Sequence, residues 1–297
     1  MDVIPTVRPL GGPLGAEVDD FNWRSTANNA QMRVLRDAWA RHLVLLFRGQ
    51  PTEDDTLISF SRQFGELDPC PPNDLGRTHI PSHPEIVVIS NVVRKGIKIG
   101  SLGSSESTWH TDMSYTKVPP RASLLHALEI PSIGGDTQFC NMYMALEQMP
   151  DDLRARIQGA HLVHDESNDS VGNLRKGWQV VTDPSKAPGA RHPMVRMHPV
   201  TGRAALFLGR RRNAHVVGYP VAESEALLDK LWSHATRPEY AWTHRWQVGD
   251  LLLWDNRCTM HRRDEFDSRS TRIMHRTQVS GEPVVAPKGW SASVAAL

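Results

Sequence analysis

The stretch Trp109-His110-Thr111-Asp112 places an imidazole and a carboxylate two residues apart, on the same side of the chain if the segment is extended. Two histidines and one carboxylate on one face of a metal, with the opposite face open, are typical of a non-haem iron(II) that reacts with oxygen. The stretch therefore predicts two ligands of such a site. The third ligand must come from another part of the chain.

The spacing alone is not specific. The same pattern of a histidine followed two residues later by an acid occurs at His83-Pro84-Glu85 and at His164-Asp165-Glu166. Most such pairs are ordinary surface or hydrogen-bonded residues. The surrounding sequence must therefore decide which of the three matches carries chemistry.

A remote histidine follows the apolar run Leu251–Trp254, which predicts a buried strand ending in a turn. His261 is the best candidate for the third ligand. Arg272 and Arg276 come shortly afterwards, and in a strand these two positions share a face, so both guanidinium groups would enter the same interior. An arginine pair taken alone is more often a solvated strand edge.

Composition narrows the class of protein. The chain has 297 residues, 39% of them hydrophobic, and a formal net charge of +1, so nothing favours nucleic acid or an anionic membrane over a small molecule. Its three cysteines are far apart and we expect them to be reduced. The first residues lack a basic start, and no apolar run is long enough for a membrane span. We therefore expect a cytoplasmic protein.

The pattern of short apolar runs predicts a mainly β fold of the α+β type. Residues 28–42 read as a helix that leads into a strand over 43–47, and 121–130 reads as a strand whose neighbour, 136–140, follows a Gly134-Gly135 turn. Short strands outnumber helices, which favours a jelly roll with helical insertions, and no G-x-G-x-x-G follows a strand as a Rossmann fold would require. We expect one domain over residues 1–297.

Two long segments show no apolar period. Residues 92–108 predict a long loop that ends at the metal motif, where a lid over a site is common. Residues 165–192 predict a second insertion whose role the sequence does not indicate.

Several motifs in a fixed order resemble those of the taurine / 2,4-dichlorophenoxyacetate dioxygenase family, which depends on iron(II) and 2-oxoglutarate. The resemblance extends from about Gly15 to Gly281. It rests on the following motifs: Trp109-His110-Thr111-Asp112, Gly134-Gly135-Asp136-Thr137, Trp254-Asp255-Asn256-Arg257-Cys258, His261 and Arg272-Ile273-Met274-His275-Arg276.

The resemblance implies a double-stranded β-helix, which is a jelly-roll variant, and an iron(II) held by His110, Asp112 and His261. It assigns Arg272 to the distal carboxylate of the cosubstrate 2-oxoglutarate and Thr137 to a hydroxyl contact with it. With O2, decarboxylation of 2-oxoglutarate to succinate and CO2 would drive hydroxylation of the substrate. The family also suggests a homodimer or homotetramer.

The substrate is expected to be a small organic anion gripped by Arg276 and hydroxylated next to a heteroatom. The sequence around Gly209-Arg210 is more similar to that of family members that act on aryloxyalkanoates than to that of taurine dioxygenases. Hydroxylation of an aryloxyalkanoate would lead to cleavage of its ether bond. Glu106 stands four residues before the first histidine, where taurine dioxygenases usually carry an amide, and would repel a sulfonate. His79 and Asn91 are further candidates for the substrate pocket.

Two alternatives remain open, and a third, a halogenase, is disfavoured. Taurine, another alkylsulfonate or an alkyl sulfate could be the substrate. A jelly-roll protein could also bind a metal or an organic acid without catalysing a reaction. Such a protein would not need all three metal ligands and both arginines. A halogenase needs the carboxylate position vacated for halide, and Asp112 fills it.

Overall fold

A computed structural model describes residues 3–71 and 77–290 of the chain. The strands, in chain order, are β1 (Thr6–Pro9), β2 (Ala16–Asp19), β3 (Val44–Phe47), β4 (Val87–Ser90), β5 (Val93–Arg94), β6 (Ile97–Lys98), β7 (Ser101–Leu102), β8 (Ser107–His110), β9 (Ala122–Glu129), β10 (Thr137–Asn141), β11 (His161–Val163), β12 (Arg191–Pro193), β13 (Val195–Met197), β14 (Ala204–Leu206), β15 (His215–Val216), β16 (Ala241–His244), β17 (Leu251–Asp255), β18 (Thr259–Arg263) and β19 (Ile273–Val279). The helices are α1 (Asn29–His42), α2 (Asp54–Arg62), α3 (Met142–Glu147), α4 (Asp151–Ile157) and α5 (Val221–Ala235), with short 3-10 helices at Pro184–Lys186 and Pro238–Tyr240.

Two sheets face each other. The larger has eight strands in the order β1-β2-β3-β17-β9-β19-β4-β7, and the smaller has four in the order β16-β10-β18-β8. Side chains from both meet in one core, where the rings of Phe139 on β10 and Trp254 on β17 lie 5.5 Å apart between centroids. The predicted fold class, a mainly β jelly roll with helical insertions, is confirmed.

The alternation of side chains along the large sheet explains why helices cover its other face. Leu46 and Leu252 belong to the core between the sheets, whereas Leu45 and Leu253 pack in a second cluster with residues of α1 and α2. Helix α1 begins at a capping box formed by Asn28 and Gln31, as its sequence allows. Both faces of the central strands β3, β17, β9 and β4 are therefore buried, which accounts for their nearly continuous apolar sequences.

The prediction that β9 and β10 are neighbours is wrong. β9 is already flanked by β17 and β19, and β10 lies in the other sheet between β16 and β18. Gly134 and Gly135, with φ of +79° and +72°, turn the chain from one sheet to the other. A side chain at Gly134 would put its Cβ 2.7 Å from the carbonyl oxygen of Glu265, so this crossing also needs close packing.

The two segments without an apolar period differ. Residues 92–108 are not a featureless loop, because β5 and β6 pair as a small exposed hairpin, β7 joins the edge of the large sheet and β8 begins at Ser107. Strands this short carry too little apolar period to be recognised in the sequence. Residues 165–192 do lack long elements, as predicted, and hold only a 3-10 helix before β12. Nothing in the described ranges tests the prediction of a single domain.

Candidate active site

His110 and His261 face each other across the small sheet. β8 and β18 pair antiparallel with these two residues opposite, and their rings lie 4.2 Å apart between centroids. The Nδ1–H of His110 donates to the carbonyl oxygen of Thr108 at 2.8 Å, so Nε2 carries the free lone pair. His261 lies after β17 and its turn, as expected, and it belongs to β18, a strand that the sequence did not predict.

Asp112 reaches the two histidines from a turn. β8 ends at His110 and Asp112 lies in the turn that follows, so the extended geometry expected for this tripeptide is wrong. Its Oδ1 lies 3.7 Å from Nε2 of His110 and 3.9 Å from Nε2 of His261. The chain therefore brings all three predicted ligands together, by a cross-strand pair and a turn.

Both oxygens of Asp112 have protein partners. Oδ1 accepts a hydrogen bond from Nη1 of Arg276 at 2.7 Å, and Oδ2 accepts one from the hydroxyl of Ser123 at 2.7 Å. Asn256 donates to that hydroxyl at 3.0 Å, and Trp254 donates to Asn256 at 2.9 Å. Sequence analysis missed Ser123, which no motif marks, and assigned no role to Asn256 within its motif.

Electrostatics keep these groups in the protonation states that a metal needs. Burial alone would raise the pKa of Asp112, but the Arg276 guanidinium and then the two imidazoles hold it well below its ordinary value. Burial, followed by the proximity of His110, lowers the pKa of His261 well below its ordinary value. The site therefore offers an ionised carboxylate and a neutral His261 at neutral pH.

These residues fit a divalent metal. One nitrogen from each histidine and one carboxylate oxygen all lie within 4.8 Å of one another and are buried. Ligand atoms on one face of an octahedral site stand about 3 Å apart, so small movements of these side chains would close the site. The two-histidine, one-carboxylate donor set is the one that iron(II) oxygenases use.

A second buried cluster of His198, Asp255 and Cys258 also has donor atoms within 4.8 Å of one another. The atoms that could bind a metal already form hydrogen bonds, however. Arg257 donates to both oxygens of Asp255 at 2.8 and 2.7 Å, and the Nε2–H of His198 donates to Asp255 at 3.0 Å. Burial raises the pKa of the Cys258 thiol well above its ordinary value. We interpret this cluster as structural: it closes the turn between β17 and β18.

Arg272 lies against the turn that leads to Thr137, and both residues are buried. Arg272 is 2% exposed, and within residues 3–71 and 77–290 its guanidinium forms no ion pair with a carboxylate. Burial and then repulsion by Arg263 lower its pKa well below the ordinary value, so the group is a buried cation that lacks a counter-ion. Thr137 is buried nearby and accepts from Trp246 at 3.0 Å, which leaves its hydroxyl proton free to donate.

Gly135 explains how the turn approaches Arg272. A Cβ at Gly135 would lie 3.4 Å from Nε of Arg272, so the glycine lets the segment that leads to Thr137 lie directly on the guanidinium. Phe266 flanks this position, with its ring centroid 6.0 Å from Cζ of Arg272. The arrangement fits the distal carboxylate of 2-oxoglutarate.

The other predicted residues of the pocket have different positions. His79 is half-buried, and its backbone forms a hydrogen bond with the Cys70 thiol. Burial raises the pKa of that thiol, whereas the hydrogen bond and the charge of Arg276 act in the opposite direction. His79 is thus next to Cys70, and no distance brings it to the three ligands. Asn91 instead accepts from the backbone N–H of Arg272 at 3.0 Å and donates to Ser270 at 2.7 Å, so it supports the segment that carries Arg272.

Glu106 is not brought to the three ligands. Its side chain is 48% exposed and lies 3.4 Å from Nη1 of Arg262, on the face of the small sheet opposite to His261. An exposed carboxylate paired with a guanidinium would not repel a sulfonate at the metal. Glu106 therefore does not disfavour taurine as the substrate.

This fold, with its metal site and its buried guanidinium, defines the class of the iron(II)- and 2-oxoglutarate-dependent dioxygenases. Residues 6–278 match the family described as "Taurine catabolism dioxygenase TauD, TfdA family", and the chain belongs to this family. It is an oxidoreductase that uses iron(II), 2-oxoglutarate and O2. No helix in the described ranges is long and apolar enough to cross a membrane.

Three relatives illustrate the range of the family. The chain is 35% identical over 291 residues to the alpha-ketoglutarate-dependent 2,4-dichlorophenoxyacetate dioxygenase of Cupriavidus pinatubonensis, covering 93% of this chain and 98% of that protein. It is 30% identical over 292 residues to an alpha-ketoglutarate-dependent sulfate ester dioxygenase of Pseudomonas putida, covering 95% and 92%. The crystal structure of a taurine dioxygenase from Burkholderia xenovorans superposes with a TM-score of 0.79 at 33% identity, covering 97% and 93%.

Proposed function

We propose that this dioxygenase hydroxylates an aryloxyalkanoate at the carbon between the ether oxygen and the carboxylate. The observation that carries the proposal is the likeness to a 2,4-dichlorophenoxyacetate dioxygenase over almost the whole of both chains. Insertion of one oxygen atom into that C–H bond gives a hemiacetal. Loss of the phenol then leaves an oxo acid, while 2-oxoglutarate and the other oxygen atom become succinate and CO2.

In this proposal His110, Asp112 and His261 hold the iron and are the catalytic residues. When bound, the iron supplies the activation of O2. Thr137 donates its hydroxyl to 2-oxoglutarate, and Arg272 neutralises the distal carboxylate. Arg276 lies against Asp112 and contributes positive charge beside the metal, where the carboxylate of the substrate would approach.

The proposal is tested by oxygen and 2-oxoglutarate consumption with phenoxyacetate, 2,4-dichlorophenoxyacetate, taurine and propyl sulfate. We expect the two aryloxyalkanoates to stimulate consumption and to release one phenol per succinate. His110→Ala, Asp112→Ala and His261→Ala should each abolish this succinate. Full turnover by any of the three variants would contradict the metal-site assignment.

A second candidate is a taurine, alkylsulfonate or alkyl sulfate dioxygenase. It is supported by the taurine dioxygenase structure with a TM-score of 0.79 and by the relative that acts on sulfate esters. Stimulation by taurine or propyl sulfate, with none by phenoxyacetate, would favour this candidate. A silent binding protein would consume no 2-oxoglutarate with any of these compounds.

We also propose that the protein works in the cytoplasm as a homodimer or homotetramer. All three cysteines are free and buried, which suits a reducing compartment. Light scattering coupled to gel filtration would measure the assembly, and a monomer at micromolar concentration would contradict this part of the proposal.

A further inference from the structure

Arg263 lies on the same strand as the metal ligand His261, two positions further along β18. The pairing of β10 with β18 places Arg263 opposite Thr137. It places His261 opposite Phe139, whose ring lies in the core between the two sheets. Alternate residues of a strand share a face, and so do residues directly opposite each other in paired strands. Arg263 therefore lies on the inner face of the small sheet beside Thr137, and it is 6% exposed.

The guanidinium of Arg263 holds the chain that leads into the metal motif. Its Nη2 donates to the carbonyl of Leu102 at 3.2 Å and also to the carbonyl of Ser105. Leu102 has a φ of +72°, a conformation that is unfavourable for residues other than glycine, and the bond to its carbonyl helps to hold it. Residues 102–105, which lie just before β8, are therefore bound to β18 by a side chain.

Phe266 joins this segment to the position of Arg272. Its backbone N–H donates to the carbonyl of Ser104 at 3.2 Å, which is a third bond to residues 102–105. A Cβ at Gly135 would lie 3.4 Å from Cδ1 of Phe266 and 3.4 Å from Nε of Arg272, so the ring and the guanidinium meet at the turn between the sheets. The segment is therefore attached at the end of the site where Arg272 is buried.

Two guanidinium groups share the ring of Phe266. Its centroid lies 5.4 Å from Cζ of Arg263 and 6.0 Å from Cζ of Arg272, and Nε of each arginine is buried with no hydrogen-bond partner. Burial is the main cause of the low pKa of Arg272, repulsion by Arg263 is the next, and the attraction of Asp136 is smaller. In the part of the chain that the structure describes, neither guanidinium forms an ion pair with a carboxylate. Two buried positive charges thus lie close together, and the protein's own acids do not neutralise them.

We propose that Arg263 is a positioning residue for 2-oxoglutarate. Its guanidinium holds residues 102–105 beside Arg272, and its charge adds to the field that attracts the distal carboxylate. Binding of the dianion relieves the repulsion between the two guanidinium groups, so the cosubstrate and the segment stabilise each other. This inference rests on the proposed role of Arg272 and goes beyond it, since Arg263 belongs to none of the motifs in the sequence.

The test measures binding of the cosubstrate without turnover. Protein loaded with Mn(II) is titrated calorimetrically with 2-oxoglutarate in the absence of any organic substrate. We expect Arg263→Met to weaken 2-oxoglutarate binding roughly tenfold, because a charge and two hydrogen bonds that hold the segment are lost. Arg263→Lys keeps the charge but not the planar fork, so it should recover part of this affinity.

Hydrogen exchange at the backbone amide of Phe266 reports on the segment itself, because this amide donates to Ser104. Without 2-oxoglutarate, we expect this amide to exchange roughly fivefold faster in Arg263→Met than in the wild type, since the segment opens more often. Saturating 2-oxoglutarate should slow the exchange in the wild type.

Arg262→Met is the matched control. Arg262 is the adjacent residue of β18, but it lies on the outer face of the sheet, where it pairs with Glu106 at 3.4 Å. Its affinity for 2-oxoglutarate and its exchange at Phe266 should stay within about twofold of the wild type. In Arg263→Met the dissociation constant for Mn(II) should also stay within about twofold, because the metal ligands themselves are intact.

The outcomes are distinct. Wild-type affinity of Arg263→Met for 2-oxoglutarate, or unchanged exchange at Phe266, would overturn the inference. Loss of Mn(II) binding in Arg263→Met would also overturn it, because Arg263 would then be needed for the structure of β18. If Arg272→Ala, titrated in the same way, binds 2-oxoglutarate as the wild type does, the proposed cosubstrate position is wrong and the inference fails with it. None of these results depends on which organic substrate the enzyme uses.

Discussion

Nη1 of Arg276 donates to Oδ1 of Asp112 at 2.7 Å, and this is the oxygen that faces the imidazoles of His110 and His261. The carboxylate thus has a cationic partner on its metal-facing side and the Ser123 hydroxyl on the other. Its charge is balanced in the absence of metal, and its orientation is held from both ends. The ligand set is preorganised by residues that do not themselves ligate.

Removing the Arg276 guanidinium should lower the stability of the protein, because the buried carboxylate of Asp112 loses its charged partner. We expect Arg276→Met to destabilise the metal-free protein by about 3 kcal/mol, because an unpaired buried charge remains. Saturating Mn(II) should restore most of this loss by replacing the missing positive charge. Urea unfolding with and without Mn(II) measures both effects. Arg269→Met, which breaks only an exposed pair with Asp267, is the control and should show little change.

Ser123 should tune metal affinity through Asp112. In Ser123→Ala, Oδ2 of Asp112 loses its hydrogen bond, so we expect the dissociation constant for Mn(II) to rise about tenfold. Ser61→Ala is a matched control, since Ser61 is also buried and hydrogen-bonded but contacts Leu57 and Thr277. Equal affinities of the two variants for Mn(II) would show that the Ser123 hydroxyl has no role in holding the ligand.

Arg272 should act on the cosubstrate alone. We expect Arg272→Ala to raise KM for 2-oxoglutarate roughly a hundredfold, because the distal carboxylate would lose its buried partner. KM for the organic substrate should change far less. Steady-state kinetics with each compound varied in turn gives both values. A large effect on the organic substrate and none on 2-oxoglutarate would mean that the roles of the arginines are exchanged.

Acid should destabilise the protein through buried histidines. Burial lowers the pKa of His126 from 6.5 to about 4, so this residue takes up a proton in the unfolded state before the folded state. The stability that His126 contributes is therefore fully present above pH 6.5 and falls as the pH approaches 4, with a loss of about 2 kcal/mol at pH 5. Urea unfolding at pH 7 and pH 5 measures the loss.

The nontitrating variant His126→Leu isolates that contribution. Its stability should fall less between pH 7 and pH 5 than that of the wild type, by about the same 2 kcal/mol. His126 packs edge-on against Trp23 at 5.4 Å, so the variant will also lose some stability that does not depend on pH. If the stability of His126→Leu falls between pH 7 and pH 5 as much as that of the wild type, the assignment to His126 is wrong.

Local pattern was sufficient for several elements. The apolar period of residues 28–42 predicted α1, and the run that follows predicted β3. The order of the motifs was also sufficient for the family and for the three residues that meet at the metal site. These features depend on residues close together in the chain, or on side-chain chemistry that has few alternatives, such as a histidine pair with a carboxylate.

Long-range pairing was not accessible in this way. β9 and β10 read as a hairpin, but they lie in different sheets because the strands that pair with them come more than a hundred residues later. Glu106 reads as a residue of the pocket, but its partner Arg262 lies on the outer face of a strand that the periodicity did not reveal.

The clearest case is His164-Asp165-Glu166, which as sequence is an ordinary repeat of the His-x-acid pattern. Folding buries His164 near Arg210, which is 46 positions away in the chain, and leaves both ring nitrogens of His164 without a hydrogen-bond partner among the described residues. The stretch Trp109-His110-Thr111-Asp112 identifies the metal chemistry because ligand type and spacing are local properties. The surroundings of that metal depend on which distant segments pack against β8, and this is set by packing and burial across the whole molecule.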